Sequence, residues 1–271
     1  MPYISAIYIY PIKALDPVSV REAKILPSGS LDFDREFALV DDQGNFLNGK
    51  RQPKIHRLRA HTYPETGLVA FQSADTEEMP VFHLEDQRPQ AEEWLSKFFG
   101  LRVRLQQKSD GGFPDDTEAH GPTILGRETL KEIASWYEGL DDENLRLRFR
   151  PNLELGGALP FWEDRLFGDA GYVVRFTIGD VRVEGIKPCA RCVVPTRDPF
   201  TGEQYREFQK VFVERREKSL PPFAAKSRFD HFYRLAVNTR IGKQEAGKVI
   251  KVGMRVKLVD IMPLSAEDSL A

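Results

Sequence analysis

The stretch YVVRFTIGDVRVEGI, residues 172–186, limits the folds open to this chain more than any other. Tyr172, Val174, Phe176 and Ile178 recur at a period of two, the repeat that puts side chains on one face of a pleated strand. Gly179-Asp180 then breaks the run, and such a pair suits a two-residue hairpin. An antiparallel hairpin is therefore expected here.

Other segments carry related signals. ISAIYIY, residues 4–10, is rich in β-branched and aromatic residues, and FALVDDQGNFLN, residues 37–48, places a turn signal between two short apolar runs. VIKVGMRVKLVDI, residues 249–261, predicts a closing strand pair. Arg146, Arg148 and Arg150 alternate with Leu145, Leu147 and Phe149, which predicts a strand with three arginines on one face. Of these, Arg146 and Arg148 are expected to be solvated. Helical stripes end at glycine over residues 89–99 and 128–138, and a third amphipathic stripe covers 205–218. The polar, Gly-rich segment 106–123 is the best boundary, and residues 265–271 read as a frayed tail.

Length and composition bound the function. The 271 residues include 41% hydrophobic and 30% charged side chains, an ordinary globular balance. A net charge of −2 argues against a nucleic-acid coat or a polybasic membrane patch, while leaving room for a local basic pocket. The N-terminus reads as a strand rather than a signal peptide, and no apolar run is long enough to span a bilayer. A cytoplasmic protein without membrane or nucleic-acid partners is expected.

Both cysteines, Cys189 and Cys192, lie in GIKPCARCVVPTRDPFTGEQ. Zinc needs four ligands, and the five histidines offer no H-x₃₋₅-H pair close enough to the cysteines to complete a finger, although His56 and His61 come near it. A redox dithiol wants a helix after the pair, but VVPTRDPFTG is a poor helix former. A thiolate that ligates a metal carried by an organic cofactor fits the flanking Lys187 and Arg191. Spacing alone leaves this reading level with two small buried hydrophobes at a strand end.

The segment KPCARCVVPTRDPFTGE resembles the signature of the MOSC family, domains of the molybdenum-cofactor sulfurase C-terminal type. YIYPIKAL resembles the YPVKS opening of the associated N-terminal β-barrel domain, and LDFDREFALVDDQGNFLNGKRQPKI resembles its GDRxWxLVxxxGxxxTARxxPxL pattern. RFRPNLEL, FWEDRLF and KVIKVGMRVKLVD resemble the FRPN strand, the EDxW stretch and the final strands of the MOSC domain. In plan the chain is similar to the amidoxime-reducing branch of that family.

The resemblance implies a mainly β, α+β fold: an N-terminal β-barrel-like domain over residues 1–110 and a MOSC β-barrel domain over 111–264. It implies a molybdenum cofactor at their interface, with Cys192 as metal ligand and catalytic residue. Lys13, Arg35, Lys50, His120, Thr123, Arg150, Asn152 and Arg191 would bind the cofactor. Three positions depart from the pattern: Ala14 replaces a serine, Asn48-Gly49-Lys50 replaces TAR, and His120-Gly121 replaces a Thr-Ser pair. His120 could titrate near neutrality, though an ordinary loop histidine is the safer expectation.

The implied activity is reduction of small N-oxygenated compounds. Two cysteines are too few for an iron–sulfur cluster and no dinucleotide fingerprint is present, so electrons are expected from a separate protein, a reductase or ferredoxin-like partner. The alternatives are a molybdenum-cofactor or persulfide carrier without turnover, and a dithiol oxidoreductase.

Overall fold

The computed structural model describes residues 1–73 and 76–263, so the expected tail at 265–271 lies outside the described residues. The first part of the chain forms β1 (Tyr3–Ile9), β2 (Val18–Val20), β3 (Glu22–Lys24), β4 (Phe37–Val40), β5 (Leu58–Tyr63), β6 (Leu68–Ser73), β7 (Val81–His83), α1 (Arg88–Phe99) and β8 (Arg104–Gln107). The second forms β9 (Ile124–Gly126), α2 (Arg127–Ala134), α3 (Asp142–Phe149), β10 (Leu153–Gly156), β11 (Tyr172–Ile178), β12 (Val181–Ala190), α4 (Phe208–Lys218), β13 (Arg234–Arg240), β14 (Val249–Lys251) and β15 (Val256–Pro263). The fold is α+β and mostly strand, and no helix among the described residues is long and apolar enough to cross a membrane.

The hairpin forms as its pattern requires. β11 and β12 pair antiparallel from Val174↔Gly185 to Ile178↔Val181, with Gly179 and Asp180 as the turn. They sit in a sheet ordered β15-β11-β12-β13-β9-β10-β1-β2, in which β9 and β10 run parallel. The amide of Ile4 donates to the Met254 carbonyl at 2.9 Å, and the amide of Val256 donates to Pro2 at 2.9 Å. These bonds bring the start of β15 against β1 and close the sheet into a barrel. Its interior is filled by alternate residues such as Ile7, Phe176, Ile178, Val183 and Val237. At Gly185 a Cβ would lie 1.5 Å from the Leu166 carbonyl oxygen, so only glycine lets that loop pass over the strand.

A second lobe, built on residues 37–107, contains the two-stranded sheet β4-β8, the three-stranded sheet β5-β6-β7 and α1. Its core includes the Phe71–Trp94–Phe98 stack, with centroids 5.7 and 6.0 Å apart. β1 and β2 belong to the barrel sheet and β3 pairs with β14, so strand pairing crosses residue 110. A third cluster joins α2, α3 and α4 through Leu130, Ile133, Leu145, Phe149 and Phe212.

Two expectations are corrected. β14 and β15 both form, but they do not pair with each other. β14 pairs with β3 and β15 with β11, because the turn between them is used to hold Ile4. The three-arginine segment is a helix, α3. Asp141 caps its start, its carboxylate accepting from the Asn144 amide at 2.7 Å, and Arg150 ends it in a left-handed conformation before Pro151. Arg146 and Arg148 are consequently not solvated. Arg146 pairs with the buried Glu154, and Arg148 is 3% exposed, donating to Asn144 Oδ1 at 2.6 Å and the Pro195 carbonyl at 3.0 Å. α1, α2 and α4 form where their stripes predicted, although α2 stops a turn early at Ala134.

The turn after β10 buries two acids. Asp164 accepts both 2.8 and 2.6 Å bonds from Arg216 Nη2, whose guanidinium also lies 4.5 Å from the Phe161 ring centre. Removing either partner would strand a buried charge at a cost of roughly 3–5 kcal/mol. Glu163 has no such cation. Burial, then the neighbouring Asp164 charge, push its carboxyl up to about 7. Thr129 Oγ1 donates to Glu163 Oε2 at 3.0 Å. Because the folded value exceeds the unfolded one, protonated Glu163 supports folding at acid pH and that support is lost as pH rises through 7. Glu163→Gln keeps the acceptor and removes the charge. It should raise stability at pH 8 and change it little at pH 5, as read by chemical denaturation at both.

Candidate functional site

β12 leaves the barrel through two register irregularities, at Gly185/Lys187 and Pro188/Ala190, the second at a proline that has no amide to give the ladder. The chain that emerges carries Arg191 and Cys192 over a cavity of about 630 Å³ between the barrel and the second lobe. Ten lysines and arginines line it against four aspartates, a strong local excess in a chain of net charge −2.

Both thiols are free and half-buried. Cys189 Sγ accepts from Arg191 Nη1 at 3.0 Å, and Arg191 Nη2 donates to the Phe149 carbonyl. Cys192 Sγ faces the Val194 amide at 3.5 Å. Only the three-residue 3-10 turn Val194–Thr196 follows, so the helix a thioredoxin-type dithiol needs is missing. No cluster of three or more His, Cys, Asp or Glu among the described residues could hold a metal ion by itself, which removes the zinc reading. A metal here would have to bring other ligands with it.

Two guanidiniums of the cavity converge on Tyr10, which is fully buried and whose hydroxyl donates to the Pro151 carbonyl at 3.1 Å, and Lys13 lies over the Phe46 ring. Arg35 and Arg150 lie 5.3 and 4.1 Å from the ring centre, both on left-handed backbone. Arg35 is paired to Asp34. Lys13, 8% exposed, donates to the Phe113 carbonyl at 2.8 Å and pairs with Asp115 at 2.5 Å. Of these three side chains, only that of Arg150 has no hydrogen-bond or ion-pair partner among the described residues, while its amide donates to the Arg146 carbonyl at 2.7 Å. Desolvation and then the repulsion of nearby cations, against the pull of Asp115, lower the Lys13 ammonium below its usual range. Desolvation works to raise Asp115, but Arg35, Lys13 and Arg150 hold it down at about 2. An anion entering here would meet one unspent guanidinium, that of Arg150, and two cations, Arg35 and Lys13, that a carboxylate already satisfies.

The expected residues divide into two groups. Lys13, Arg35, Lys50, His120, Thr123, Arg150, Asn152, Arg191 and Cys192 all line the one cavity. Asn152, however, is 1% exposed and fully used. Its Nδ2 donates to the Tyr8 carbonyl and Asp34 Oδ1, each at 3.0 Å, while its Oδ1 accepts from the amide and hydroxyl of Thr123 at 3.2 Å. Asn152 thereby joins Thr123 to Arg35, whose Nη1 donates to Asn152 Oδ1 at 3.4 Å, at the cavity wall. His120 and the exposed Lys50 stand at the rim, with no side-chain hydrogen bond among the described residues.

Sequence reasoning missed His56, Asp115 and Arg197. His56 is wedged across the lobes: a Cβ on Gly49 would lie 2.6 Å from its Nε2, and one on Gly202 3.4 Å from its Cβ. Burial, then the charges of Arg197, Arg150 and Arg59, lower its pKa to about 4, so the ring is neutral at neutral pH. Nothing in its sequence context, RQPKIHRL, signals that placement.

Comparison with known proteins adds a second line of evidence. Residues 1–110 match the MOSC N-terminal beta barrel domain, and residues 127–257 match the MOSC domain. The molybdenum cofactor sulfurase of Caenorhabditis briggsae is 23% identical over 279 residues, which cover 95% of this chain and 36% of that protein. The mitochondrial amidoxime-reducing component 1 of Homo sapiens is 24% identical, covering 75% of this chain and 68% of its own length. The same component from Xenopus laevis is 26% identical, with 73% and 66% covered. The chain thus spans about a third of the sulfurases it matches.

Two outcomes are expected from this geometry. Asn152→Ala leaves several buried partners unsatisfied and should cost roughly 2–4 kcal/mol in a denaturant titration. For His56 the folded value of about 4 lies below the ordinary histidine value of 6.5, so its stabilising effect is complete above pH 6.5 and is lost as pH falls toward 4. His56→Gln should flatten that acid decline in melting temperature.

Proposed function

Because the chain belongs to the family that joins a MOSC N-terminal β-barrel domain to a MOSC domain, we propose that its cavity binds the molybdenum cofactor and that the protein reduces N-oxygenated compounds. The observation that carries this reading is the buried guanidinium of Arg150, without an anionic partner among the described residues, in the same cavity as the free thiol of Cys192. Such an arrangement suits a group with both an anionic end and a metal that lacks one soft ligand.

When bound, the cofactor supplies two-electron redox chemistry. The chain supplies the rest. Arg150, with Arg35 and Lys13 behind it, neutralises the phosphate and pterin end. Cys192 Sγ is the ligand, and the bonds from Arg191 to Phe149 and Cys189 hold the peptide before it. Thr123 and Asn152 fix Arg35, while Lys50 and His120 meet the ligand at the rim. Reducing an N-hydroxyl group breaks the N–O bond, consumes two electrons and two protons, and releases water. In this reading a separate protein, a reductase or ferredoxin-like partner, delivers the electrons.

The relatives named for the amidoxime-reducing component support the reductase reading. Those named as sulfurases, which match nearly the whole chain, support a second one, a cofactor or persulfide carrier without turnover.

Molybdenum and released pterin, measured in protein from a cofactor-producing host, separate the two. Near-stoichiometric molybdenum is expected in the wild type. It should be lost in Cys192→Ser, strongly reduced in Arg150→Ala and largely kept in Cys189→Ser. A metal-free wild type with a persulfide on Cys192 would establish the carrier instead. Equal losses from both cysteine variants would overturn the assignment of Cys192 as the ligand.

A further inference from the structure

The cations of the cavity are not equally spent. Arg59 is locked by both oxygens of Asp16 and by the Pro199 carbonyl. Lys187 is held by Asp116 and Glu118 at 3.0 and 2.9 Å, and Arg234 by Asp230 at 2.7 Å. Lys13 and Arg35 have Asp115 and Asp34. Arg150 is the free cation beside Tyr10 and is already assigned to the cofactor. Of the rest, Arg148 faces Asp198 at 3.7 Å, Arg191 is held by Cys189 Sγ and the Phe149 carbonyl, and Lys50 stands exposed at the rim, whereas Arg197, five residues after Cys192 on the same loop, has a buried nitrogen without a partner.

Arg197 is fixed but unbalanced. Its amide donates to the Val194 carbonyl at 2.9 Å, and Nη1 donates to the Gly202 carbonyl at 3.1 Å. Its Nε is buried with no hydrogen-bond partner, and no carboxylate among the described residues pairs with it. The adjacent Asp198 is committed elsewhere: Oδ1 accepts from the amides of Phe200 and Thr201, both at 2.9 Å, and Oδ2 faces Arg148 at 3.7 Å. The Asp198–Gly202 and Thr196–Tyr205 backbone bonds, 2.9 and 2.8 Å, hold the turn in place. The neighbouring side chain across the cavity, His56, offers no negative charge and has its own Nε2 buried without a partner. A desolvated guanidinium with one backbone bond is costly unless an anion arrives to share it, and its planar fork matches a carboxylate.

Resting on the cofactor reading above, we propose that Arg197 is a specificity-determining residue that makes this cavity prefer substrates bearing a carboxylate. The cofactor's own anionic end takes the Arg150 side, and the substrate carboxylate takes the Arg197 side. Selection then comes from a charge placed a short loop away from the reacting centre, independent of the N–O group itself.

The test compares benzamidoxime with 4-carboxybenzamidoxime on the purified full chain. Binding is read by calorimetric titration, and molybdenum content is measured in the same samples. The wild type should bind the carboxylated compound about tenfold more tightly, the scale of one charged hydrogen-bonding pair. Arg197→Gln should abolish that preference while keeping its molybdenum, and Arg197→Lys should keep part of it. A wild type without preference, or an Arg197→Gln protein that loses molybdenum, would overturn the proposal. If neither compound is reduced but the preference and its loss persist, the reductase reading fails and the carboxylate subsite stands.

Discussion

One amide, that of Asn152, ties the molecule together. It bonds β1 through Tyr8, the Asp34–Arg35 turn through Asp34, and the segment before β9 through Thr123. Each of those pieces carries a wall of the cavity. Because Asn152 is 1% exposed and its side-chain donors and acceptor are all used, it cannot move without leaving a partner unpaired. The barrel and the Asp34–Arg35 turn that leads into β4 are therefore registered to each other by hydrogen-bond accounting as well as by apolar burial. The left-handed turns at Arg35 and Arg150 are affordable only because this node and the Tyr10 ring hold both side chains where those turns put them.

That registration explains how so many like charges can share about 630 Å³. Most of them are neutralised locally by short-range partners, Asp16 for Arg59 and Asp34 for Arg35, which turn a repulsive crowd into a set of fixed dipoles. What remains without a carboxylate partner among the described residues is Lys50 at the rim, Arg191 held by a thiol and a carbonyl, and the two guanidiniums of Arg150 and Arg197. A field produced by a few unspent groups is directional, whereas one produced by ten free cations would attract any anion.

Local periodicity made parts of this legible. The 172–186 hairpin has a pattern with one reading, since an alternating run and a Gly-Asp pair agree. The α3 error is as instructive. Leucine and arginine alternate there with a period of two, yet Leu145, Arg148 and Phe149 are buried at helical spacing, and the deciding signals were the Asp141 cap and Pro151. The pattern misled because the buried face includes an arginine, which a polarity code counts as outward. The cavity residues named by family resemblance do converge, but their division of labour was not readable. Whether a guanidinium is spent depends on partners more than a hundred residues distant, as with Arg35 and Asn152. His56 and Arg197 belong to the same class, defined by what stands opposite them across the gap.

The closure of the barrel has a consequence in time. β1 is made first and β2 can pair with it at once, yet its other partners are β10, about 150 residues later, and the segment around Met254. During synthesis the second lobe can complete its own short-range sheets over residues 37–107 while the β10 edge of β1 is still open. The lining residues of the cavity run from Lys13 to Asn238, so its walls cannot meet until residue 238 has left the ribosome. A cofactor of the kind proposed here would therefore find its pocket only in a nearly complete chain, which makes the time of loading a property of the topology.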